Sequence, residues 1–245
     1  MKRRLDVVLA ERGLAESRER ARALIMEGDV FVDGARAGKA GMQVTGEERI
    51  ELRESALPFV SRGGLKLAKA LDVFSLDLAG LVCADVGAST GGFTDCMLQR
   101  GAARVYALDV GYGQLHYKLR NDPRVSVMER TNARYMEPGW FAEQPRFASV
   151  DVSFISLRLI LPPLKLCLAQ NAAVVALVKP QFEAGRAEVG KNGVVREEKT
   201  HKRVLAEIIR FAYGAEYTVE GLSFSPITGP KGNIEFLLLL RNKPG

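Results

Sequence analysis

The sequence is poor in residues that build metal sites or disulfide frameworks. It contains three cysteines and two histidines, and no two cysteines form a Cys-x-x-Cys pair. An odd number of cysteines without such spacing argues against a disulfide scaffold and is typical of proteins in a reducing compartment. We therefore expect no metal and three free thiols, at Cys83, Cys96 and Cys167.

Long apolar segments are absent as well. The longest uncharged apolar run, Ala172 to Val178, is far shorter than the roughly 20 residues that a membrane-spanning helix needs. The basic N-terminus is followed by only a few apolar residues before Glu11 and Arg12, which is unlike a signal peptide. These absences predict a cytoplasmic protein without a membrane partner.

The net charge of +6 is unevenly distributed along the chain. A basic balance invites a nucleic-acid partner but does not establish one. Residues 1–22 hold seven basic against four acidic side chains, whereas residues 23–54 hold four against seven. A small domain that is polarised in this way can present a basic face to phosphate groups.

The first 54 residues predict a small α+β unit. Apolar residues recur at helical spacing in two stretches, which end near Gly13 and Gly28. Ser17 is placed to cap the start of the second helix. Two strand-like pieces follow, at 30–32 and 50–52, with a glycine-containing turn after the first.

The second predicted helix carries Arg18 and Arg22, which lie four residues apart and therefore share one face. Taken alone, that face is either a solvated basic surface or a contact surface for phosphate. The residue types do not decide between the two.

This segment resembles the RNA-binding module named after ribosomal protein S-four. The matching residues are Arg4-Leu-Asp-x-x-Leu, Gly13-Leu14, Ser17-Arg18-x-x-Ala21-x-x-Leu24-Ile25-x-x-Gly28 and Val30-x-Val32-x-Gly34. The resemblance implies that arginines near the start of the second helix contact the RNA backbone, where a guanidinium matches the phosphate geometry. The RNA contacts that we expect are Arg4, Arg18, Arg20, Arg22 and, in the adjoining linker, Arg62.

A turn-rich junction at 55–65 separates this unit from the rest of the chain. Beyond it, apolar runs alternate with helix-compatible stretches, and the runs lie at 81–84, 105–108, 148–150, 173–178, 219–224 and 236–240. This alternation predicts an α/β fold, a doubly wound Rossmann-like sheet with helices on both faces. We expect the domains to span 1–60 and 61–245.

A glycine-rich loop follows the first strand of this predicted sheet. The strand ends in Asp85, and the loop contains Gly87, Gly91 and Gly92. Glycines let the chain turn sharply into a helix and let a ligand approach the backbone. The next strand ends in Asp109, 22 residues after Gly87, where an acid can accept the hydroxyls of a ribose.

The details of the loop favour one cofactor over others. Phe93 stands where a nucleotide phosphate loop would have lysine, and the glycine spacing is not that of a dinucleotide fold. The carboxylate of Asp85 would repel a pyrophosphate but suits a ligand with an ammonium group. S-adenosylmethionine has that group as well as a ribose. A purely structural loop and a redox Rossmann enzyme are the alternatives.

Four ionisable residues lie next to predicted strands or before the first helix of this domain: Lys66, Asp151, Lys179 and Glu235. Asp151 and Lys179 follow apolar runs, so both point to the crevice at the carboxyl ends of the strands. Glu235 precedes its strand and reaches the same edge only if that strand runs antiparallel to the others. Each residue alone is compatible with a surface charge or a salt-bridge partner.

The order of these four residues, together with the Asp85–Gly92 loop, resembles the Lys-Asp-Lys-Glu tetrad of FtsJ-like RNA ribose 2′-O-methyltransferases. With the N-terminal module, the whole chain resembles the TlyA family, some members of which carry a haemolysin name. The segments that carry this likeness are Val60-Ser-Arg-Gly-Gly-Leu-Lys66-Leu, Val150-Asp-Val-Ser-Phe-Ile-Ser156 and Val178-Lys-Pro-Gln-Phe-Glu183.

The resemblance implies methylation of a cytidine ribose 2′-hydroxyl in ribosomal RNA, with RNA or a ribosomal subunit as partner. The catalytic residues become Lys66, Asp151, Lys179 and Glu235, and the cofactor contacts become Asp85, Gly87, Ser89, Gly91, Gly92, Asp109 and Asn132. The short ends of the chain resemble the branch of the family that modifies large-subunit (23S) RNA alone, with small-subunit (16S) RNA as the alternative target.

Several alternatives stay open. Lys179 is either a general base or a group that orients the hydroxyl and stabilises negative charge. A non-catalytic ribosome-assembly factor and a membrane-damaging haemolysin are the rival functions, although no apolar span or strongly amphipathic basic helix favours the latter. The sequence leaves the oligomeric state undecided, and also whether 184–196 forms a lid over RNA.

Overall fold

The computed structural model describes residues 2–52 and 58–243. The first residues of the predicted junction, 55–57, therefore lie outside the described residues. In the remainder of the junction, helix α3 (Gly63–Val73) begins two residues before the predicted linker ends. The domain boundary stays a prediction.

The N-terminal unit forms as its caps and turns predict. Its elements are β1 (Arg3–Arg4), α1 (Leu5–Glu11), α2 (Arg18–Glu27), β2 (Val30–Val32), β3 (Ala35–Arg36), β4 (Gln43–Val44) and β5 (Ile50–Leu52). The Ser17 hydroxyl accepts a hydrogen bond of 3.1 Å from the backbone N–H of Arg20 and so caps α2. Gly28 ends that helix with a left-handed φ of 84°, which glycine adopts without steric cost.

The two helices pack on a three-stranded antiparallel sheet with the order β3-β2-β5. Asp33 and Gly34 both have positive φ, as the tight hairpin turn between β2 and β3 requires. Apolar residues of both helices and of β2 form a core that belongs to this unit alone: Leu5, Val8, Leu9, Ala21, Ile25, Val30 and Val32 are among its buried members. The short strands β1, β3 and β4 were not predicted.

The second domain is built on a seven-stranded mixed sheet, which confirms the predicted α/β class. Its strands are β6 (Val82–Val86), β7 (Arg104–Leu108), β8 (Val125–Met128), β9 (Phe147–Val150), β10 (Ala173–Val178), β11 (Tyr217–Phe224) and β12 (Phe236–Asn242), in the order β11-β12-β10-β9-β6-β7-β8. All six apolar runs form strands, and β8 is an additional one. Strand β12 pairs antiparallel with β10, as the location of Glu235 requires.

Helices cover both faces of this sheet. They are α3, α4 (Gly92–Gln99) and α5 (Tyr117–Arg120) on one face, and α6 (Leu161–Cys167) and α8 (Glu198–Gly214) on the other, with the short α7 (Pro180–Glu183) following β10. Side chains of β6 alternate between the two cores, so that Cys83 packs toward α3 and α4 while Ala84 packs toward α6 and α8. In the part of the chain that is described, no helix is long and apolar enough to cross a membrane.

Candidate active site

Three of the four predicted tetrad residues lie just outside the ends of neighbouring strands. Asp151 follows β9 and Lys179 follows β10, and these strands are parallel and adjacent. Glu235 directly precedes the antiparallel β12, so it lies at the same edge of the sheet. Lys66 arrives from the first turn of α3. Strand direction and helix placement thus bring together residues that are up to 169 positions apart in the chain.

The four side chains form a row of alternating charge. The Lys179 ammonium lies 2.5 Å from an Asp151 carboxylate oxygen. The Lys66 ammonium lies 3.8 Å from Asp151 and donates a hydrogen bond of 2.6 Å to Glu235. Both lysines and Glu235 are buried, and buried charges need such partners to offset their desolvation.

Burial by itself would raise the pKa of Asp151. The ammonium groups of Lys179 and Lys66 outweigh that effect and hold the pKa below its usual range. Asp151 is therefore a carboxylate at neutral pH, and it forms ion pairs with both lysines. Glu235 is enclosed more fully, and a Cβ at Gly229 would collide with its carboxylate.

Ser153 is a member of this cluster to which the sequence assigned no role. Its hydroxyl oxygen accepts a hydrogen bond of 3.0 Å from the Lys179 ammonium. The segment Val150-Asp-Val-Ser-Phe, which carries it, was noted only for Asp151. Ser153 is exposed, whereas Lys179 is buried. The hydrogen bond between them therefore directs the Lys179 ammonium toward the surface.

The glycine loop lies directly against the tetrad. Gly87 has a φ of 89°, and a Cβ at this position would lie 2.5 Å from the backbone oxygen of Asp151. Gly91 caps the start of α4 with a φ of 95°. Any side chain at Gly87 would push the loop away from the strand end that carries Asp151. Glycine is therefore required both for the turn and for the close approach.

Asp85, which the sequence predicts to contact a ligand's ammonium group, is enclosed by the protein. Its carboxylate is fully buried, and its two oxygens accept hydrogen bonds of 2.7 Å from the Thr94 hydroxyl and 2.8 Å from the Ser149 hydroxyl. Burial raises the pKa of this carboxyl to about 6, against the effect of the two hydroxyls. A carboxylate without exposed surface supports the glycine loop from beneath, and its contact with a ligand's ammonium group stays a prediction.

Asp109 lies at the edge of the same crevice and is only partly buried. Its two oxygens accept hydrogen bonds of 2.8 Å from the backbone N–H of Ser89 and 2.7 Å from that of Gly111. Its backbone oxygen accepts from Thr131, which brings the exposed Asn132 nearby. The side chain of Asn132 caps a short 3₁₀ turn by accepting from the backbone N–H of Arg134.

Gly92 packs on the segment that precedes α3. A Cβ at Gly92 would collide with the Ser61 hydroxyl and come within 2.8 Å of the Gly64 nitrogen. Arg62, which was predicted to contact RNA, is exposed at the N-cap of α3. The junction and the glycine loop are therefore in direct contact.

Three of the predicted RNA-binding arginines converge on one buried carboxylate. Arg4, Arg18 and Arg22 donate hydrogen bonds of 2.9 to 3.1 Å to Asp6, which has no exposed surface. The guanidinium of Arg4, assisted by the other two, holds the pKa of Asp6 well below its usual range. Each of the three arginine side chains keeps more than two fifths of its surface exposed.

Asp6 was part of the quoted motif, but the sequence assigned it no role. Arg20, the fourth arginine predicted on or near this face, is only partly buried, and its backbone N–H binds Ser17. The buried Asp6 therefore holds the guanidinium groups of Arg4, Arg18 and Arg22 in place while they remain accessible to solvent.

No group of three or more His, Cys, Asp or Glu side chains that could hold a metal ion occurs among the described residues. The three cysteines are buried and free.

The sheet, the glycine loop at the carboxyl end of its first strand and the charged row beside it define a methyltransferase of the Rossmann type. Residues 59–242 match the model of the FtsJ-like methyltransferase family, and residues 3–50 match that of the S4 domain. The chain belongs to the FtsJ-like methyltransferase family and, with its S4 domain, to the TlyA group within it.

Relatives of known name cover almost the whole chain. YqxC of Bacillus subtilis is 55% identical over 98% of this chain and 85% of its own length. The 16S/23S rRNA (cytidine-2′-O)-methyltransferase TlyA of Mycobacterium tuberculosis is 45% identical over 98% of this chain and 90% of its own length. The 23S rRNA (cytidine-2′-O)-methyltransferase TlyA of Campylobacter jejuni is 32% identical over 73% of this chain and 69% of its own length.

Solved structures show the same architecture. A Streptococcus thermophilus protein that carries a hemolysin name superposes with a TM-score of 0.79 at 51% identity, over 100% of this chain and 90% of that one. An S-adenosylmethionine-dependent methyltransferase of Mesorhizobium loti superposes with a TM-score of 0.54 at 14% identity, over 71% of this chain and 96% of that one. The second likeness concerns the fold alone.

Proposed function

We propose that this protein transfers a methyl group from S-adenosylmethionine to the ribose 2′-hydroxyl of a cytidine in ribosomal RNA. The observation that carries the proposal is the contact between Gly87 of the glycine loop and the backbone of Asp151. Through this contact, a cofactor-binding loop and a buried row of alternating charges share one edge of the sheet. A methyl donor and a hydroxyl acceptor can meet there in line.

The residues of the loop fit S-adenosylmethionine. Gly87 and Gly91 have positive φ values and pack closely on neighbouring residues, which gives the loop its tight turn, and Asp109 has a partly exposed carboxylate that can accept from ribose hydroxyls. Asn132, held beside Asp109, would lie next to the adenine, and Ser89 and Gly92 complete the loop. When bound, the cofactor supplies an electrophilic methyl group on a sulfonium.

The charged row would act on the ribose hydroxyl. The Lys179 ammonium forms an ion pair with Asp151 and donates a hydrogen bond to Ser153, and the two contacts hold that side chain in a fixed direction. A lysine held in this way can orient the hydroxyl oxygen and stabilise the negative charge that develops as its proton leaves. The alternative is that Lys179 itself takes the proton as a general base. Lys66 and Glu235 continue the row and hold Asp151 in place from the other side.

The S4 domain would bind the RNA. Arg4, Arg18 and Arg22 face solvent around Asp6, and guanidinium groups in this arrangement suit phosphate contacts that position the RNA without reading its sequence. Arg20 and Arg62 are further contacts on this proposal. Large-subunit RNA is the favoured substrate because both TlyA relatives are named as methyltransferases of 23S rRNA.

Mapping of 2′-O-methyl groups tests the proposal. Ribosomal RNA from cells that lack the protein is incubated with the protein and S-adenosylmethionine, and the methylated positions are read by primer extension or mass spectrometry. We expect methylation of a cytidine by the wild-type protein and a loss of about 10²–10⁴-fold or more in the Lys179→Ala variant. Lys202→Ala removes an exposed lysine of α8 and serves as the matched control.

The outcomes separate the rival functions. RNA binding without any new 2′-O-methyl group would support a non-catalytic assembly factor. Full activity of Lys179→Ala would refute the catalytic role of the charged row. In Lys179→Arg the guanidinium is effectively never deprotonated, so an inactive variant indicates a general base, whereas partial activity indicates orientation and charge stabilisation.

A further inference from the structure

Two loops of the candidate active site are tied together at a distance from the tetrad by Glu183. One of its carboxylate oxygens accepts a hydrogen bond of 2.6 Å from the Ser156 hydroxyl, and the other accepts one of 2.7 Å from the backbone N–H of Leu157. Ser156 lies in the loop that carries Asp151, whereas Glu183 ends the short helix that begins after Lys179. Glu183 thus links the segments that follow β9 and β10.

The two segments extend beyond the pairing of β9 with β10, so that pairing does not set the distance between them. The parallel ladder between β9 and β10 ends at the pair Val150 and Ala176, so Asp151 and Lys179 lie beyond its last pair. Phe154 in the first loop has a left-handed φ of 63°, which costs free energy for a non-glycine residue. A loop in such a conformation keeps its shape only where surrounding contacts determine it.

The surroundings of Glu183 show what its carboxylate does. Both of its oxygens bind neutral donors, and burial raises the pKa of Glu183. The neighbouring Arg158 donates its hydrogen bond to Glu207 instead. Glu183 therefore accepts its hydrogen bonds from the loop after β9 and does not form a salt bridge with Arg158.

We propose that Glu183 is a positioning residue that sets the Asp151–Lys179 spacing by clamping the two loops together. The proposal rests on the function proposed above, because the spacing matters for transfer to a hydroxyl held by Lys179. Glu183 touches neither substrate nor cofactor. Its effect is expected in the rate of the chemical step and not in the binding of either ligand.

Kinetics of Glu183→Gln test the clamp. An amide keeps one acceptor oxygen but turns an N–H₂ toward a donor, so one of the two hydrogen bonds is lost. We expect kcat to fall at least about tenfold, while the KM for RNA and the affinity for S-adenosylmethionine change less than about twofold. Glu188→Gln is the control, since Glu188 also accepts from a backbone N–H and a hydroxyl but forms a salt bridge with Arg203 of α8. Its kcat should stay near that of the wild type.

A second measurement does not depend on methyl transfer. The rate at which an amine-reactive ester acylates Lys179 is measured by mass spectrometry in the wild type and in Glu183→Gln. Loosening of the clamp should expose the Lys179 ammonium and raise its acylation rate several-fold, while the exposed Lys202 reacts equally in both proteins. This result would stand even if the protein did not methylate ribosomal RNA.

Ser156 offers a variant in case Glu183→Gln fails to fold. Ser156→Thr keeps the hydroxyl donor and should keep kcat, whereas Ser156→Ala should lower kcat and raise the reactivity of Lys179. The proposal is overturned if folded Glu183→Gln or Ser156→Ala shows both wild-type kcat and wild-type acylation of Lys179. It is equally overturned if Glu188→Gln loses as much kcat as Glu183→Gln. An inactive wild-type protein would instead count against the proposed function.

Discussion

Two aspartates of this chain are completely buried, and their surroundings shift their pKa values in opposite directions. Asp6 accepts from the three guanidinium groups of Arg4, Arg18 and Arg22, which hold its pKa well below the usual range. Asp85 accepts from the hydroxyls of Thr94 and Ser149, and burial outweighs these hydrogen bonds and raises its pKa to about 6. The same side chain is a charged anchor in one domain and a weakly acidic support in the other.

The raised pKa of Asp85 predicts a pH-dependent stability. A carboxyl whose pKa is higher in the folded than in the unfolded state stabilises the fold fully below its ordinary value near 4 and loses that contribution as the pH rises to about 6. The loss amounts to roughly 3 kcal/mol at about 1.4 kcal/mol per pKa unit. The free energies of unfolding of the wild type and of Asp85→Asn are measured in urea from pH 4 to 8. The difference between the two proteins should change by roughly 3 kcal/mol between about pH 4 and pH 6. A difference that is constant with pH would mean that the pKa is not raised.

Among the elements, the loops after β6 and β7 depend on one another through Asp109. Its carboxylate joins the backbone of Ser89 in the first loop to that of Gly111 in the second. The proposed cofactor site lies between these loops, so its width depends on this side chain as well as on the backbone hydrogen bonds from Gly87 and Ala88 to Leu108. Asp109 would in addition accept from the cofactor ribose.

Substitution of Asp109 should therefore weaken the binding of the cofactor. We expect Asp109→Ala to reduce the free energy of S-adenosylmethionine binding by about 1.5–3 kcal/mol, the usual scale for hydrogen bonds to a charged group. Isothermal titration calorimetry measures this directly. Asp122→Ala is the control, because Asp122 also accepts from a backbone N–H in a loop but pairs with Arg124 at the surface. An unchanged affinity in folded Asp109→Ala would remove Asp109 from the cofactor site.

At the level of the whole molecule, one domain would hold RNA and the other would carry out the transfer. The arginines around Asp6 lie in the S4 domain, whereas the glycine loop and the charged row lie in the methyltransferase domain. Binding of RNA and binding of cofactor should therefore respond to different substitutions.

Neutral substitution of the S4 arginines tests this division. Each phosphate contact contributes a charge to the salt dependence of RNA binding, so Arg18→Gln and Arg22→Gln should each weaken binding and reduce the salt slope by about one. The affinity for S-adenosylmethionine should not change. Arg49→Gln removes an exposed arginine of the same domain outside the Asp6 cluster and is the control. An unaltered salt dependence would mean that Arg18 and Arg22 do not contact RNA, and Arg62 and Lys69 would be the next candidates.

Much of the fold could be predicted because it depends on local patterns. Apolar periodicity located the strands of the large sheet except β8, and the caps at Ser17 and Gly28 located α2. Strand β8 lies at the edge of the sheet, and Val125–Met128 is only partly buried, whereas the equally short β9 is fully buried. Strands of two residues, such as β1 and β4, have no periodicity to detect.

The candidate site was predictable in its members but not in its contacts. The resemblance to the FtsJ-like tetrad identified Lys66, Asp151, Lys179 and Glu235. Strand direction alone indicated a common edge only for Asp151 and Lys179, which follow parallel strands. The pattern could not show that Asp85 is enclosed, because its partners Thr94 and Ser149 approach from a helix and from a neighbouring strand.

The sequence by itself determined the class of fold and the glycine loop, because these follow from local conformational preference and from the alternation of strands and helices. The candidate site residues came from the resemblance of sequence motifs to a known family. Only the tertiary structure decided how buried charges are partnered. The arginines gather on Asp6, and Glu183 clamps the loop after β9. Such contacts join residues that are far apart in the chain. The desolvation of a buried charge is offset only when the tertiary fold brings a partner next to it.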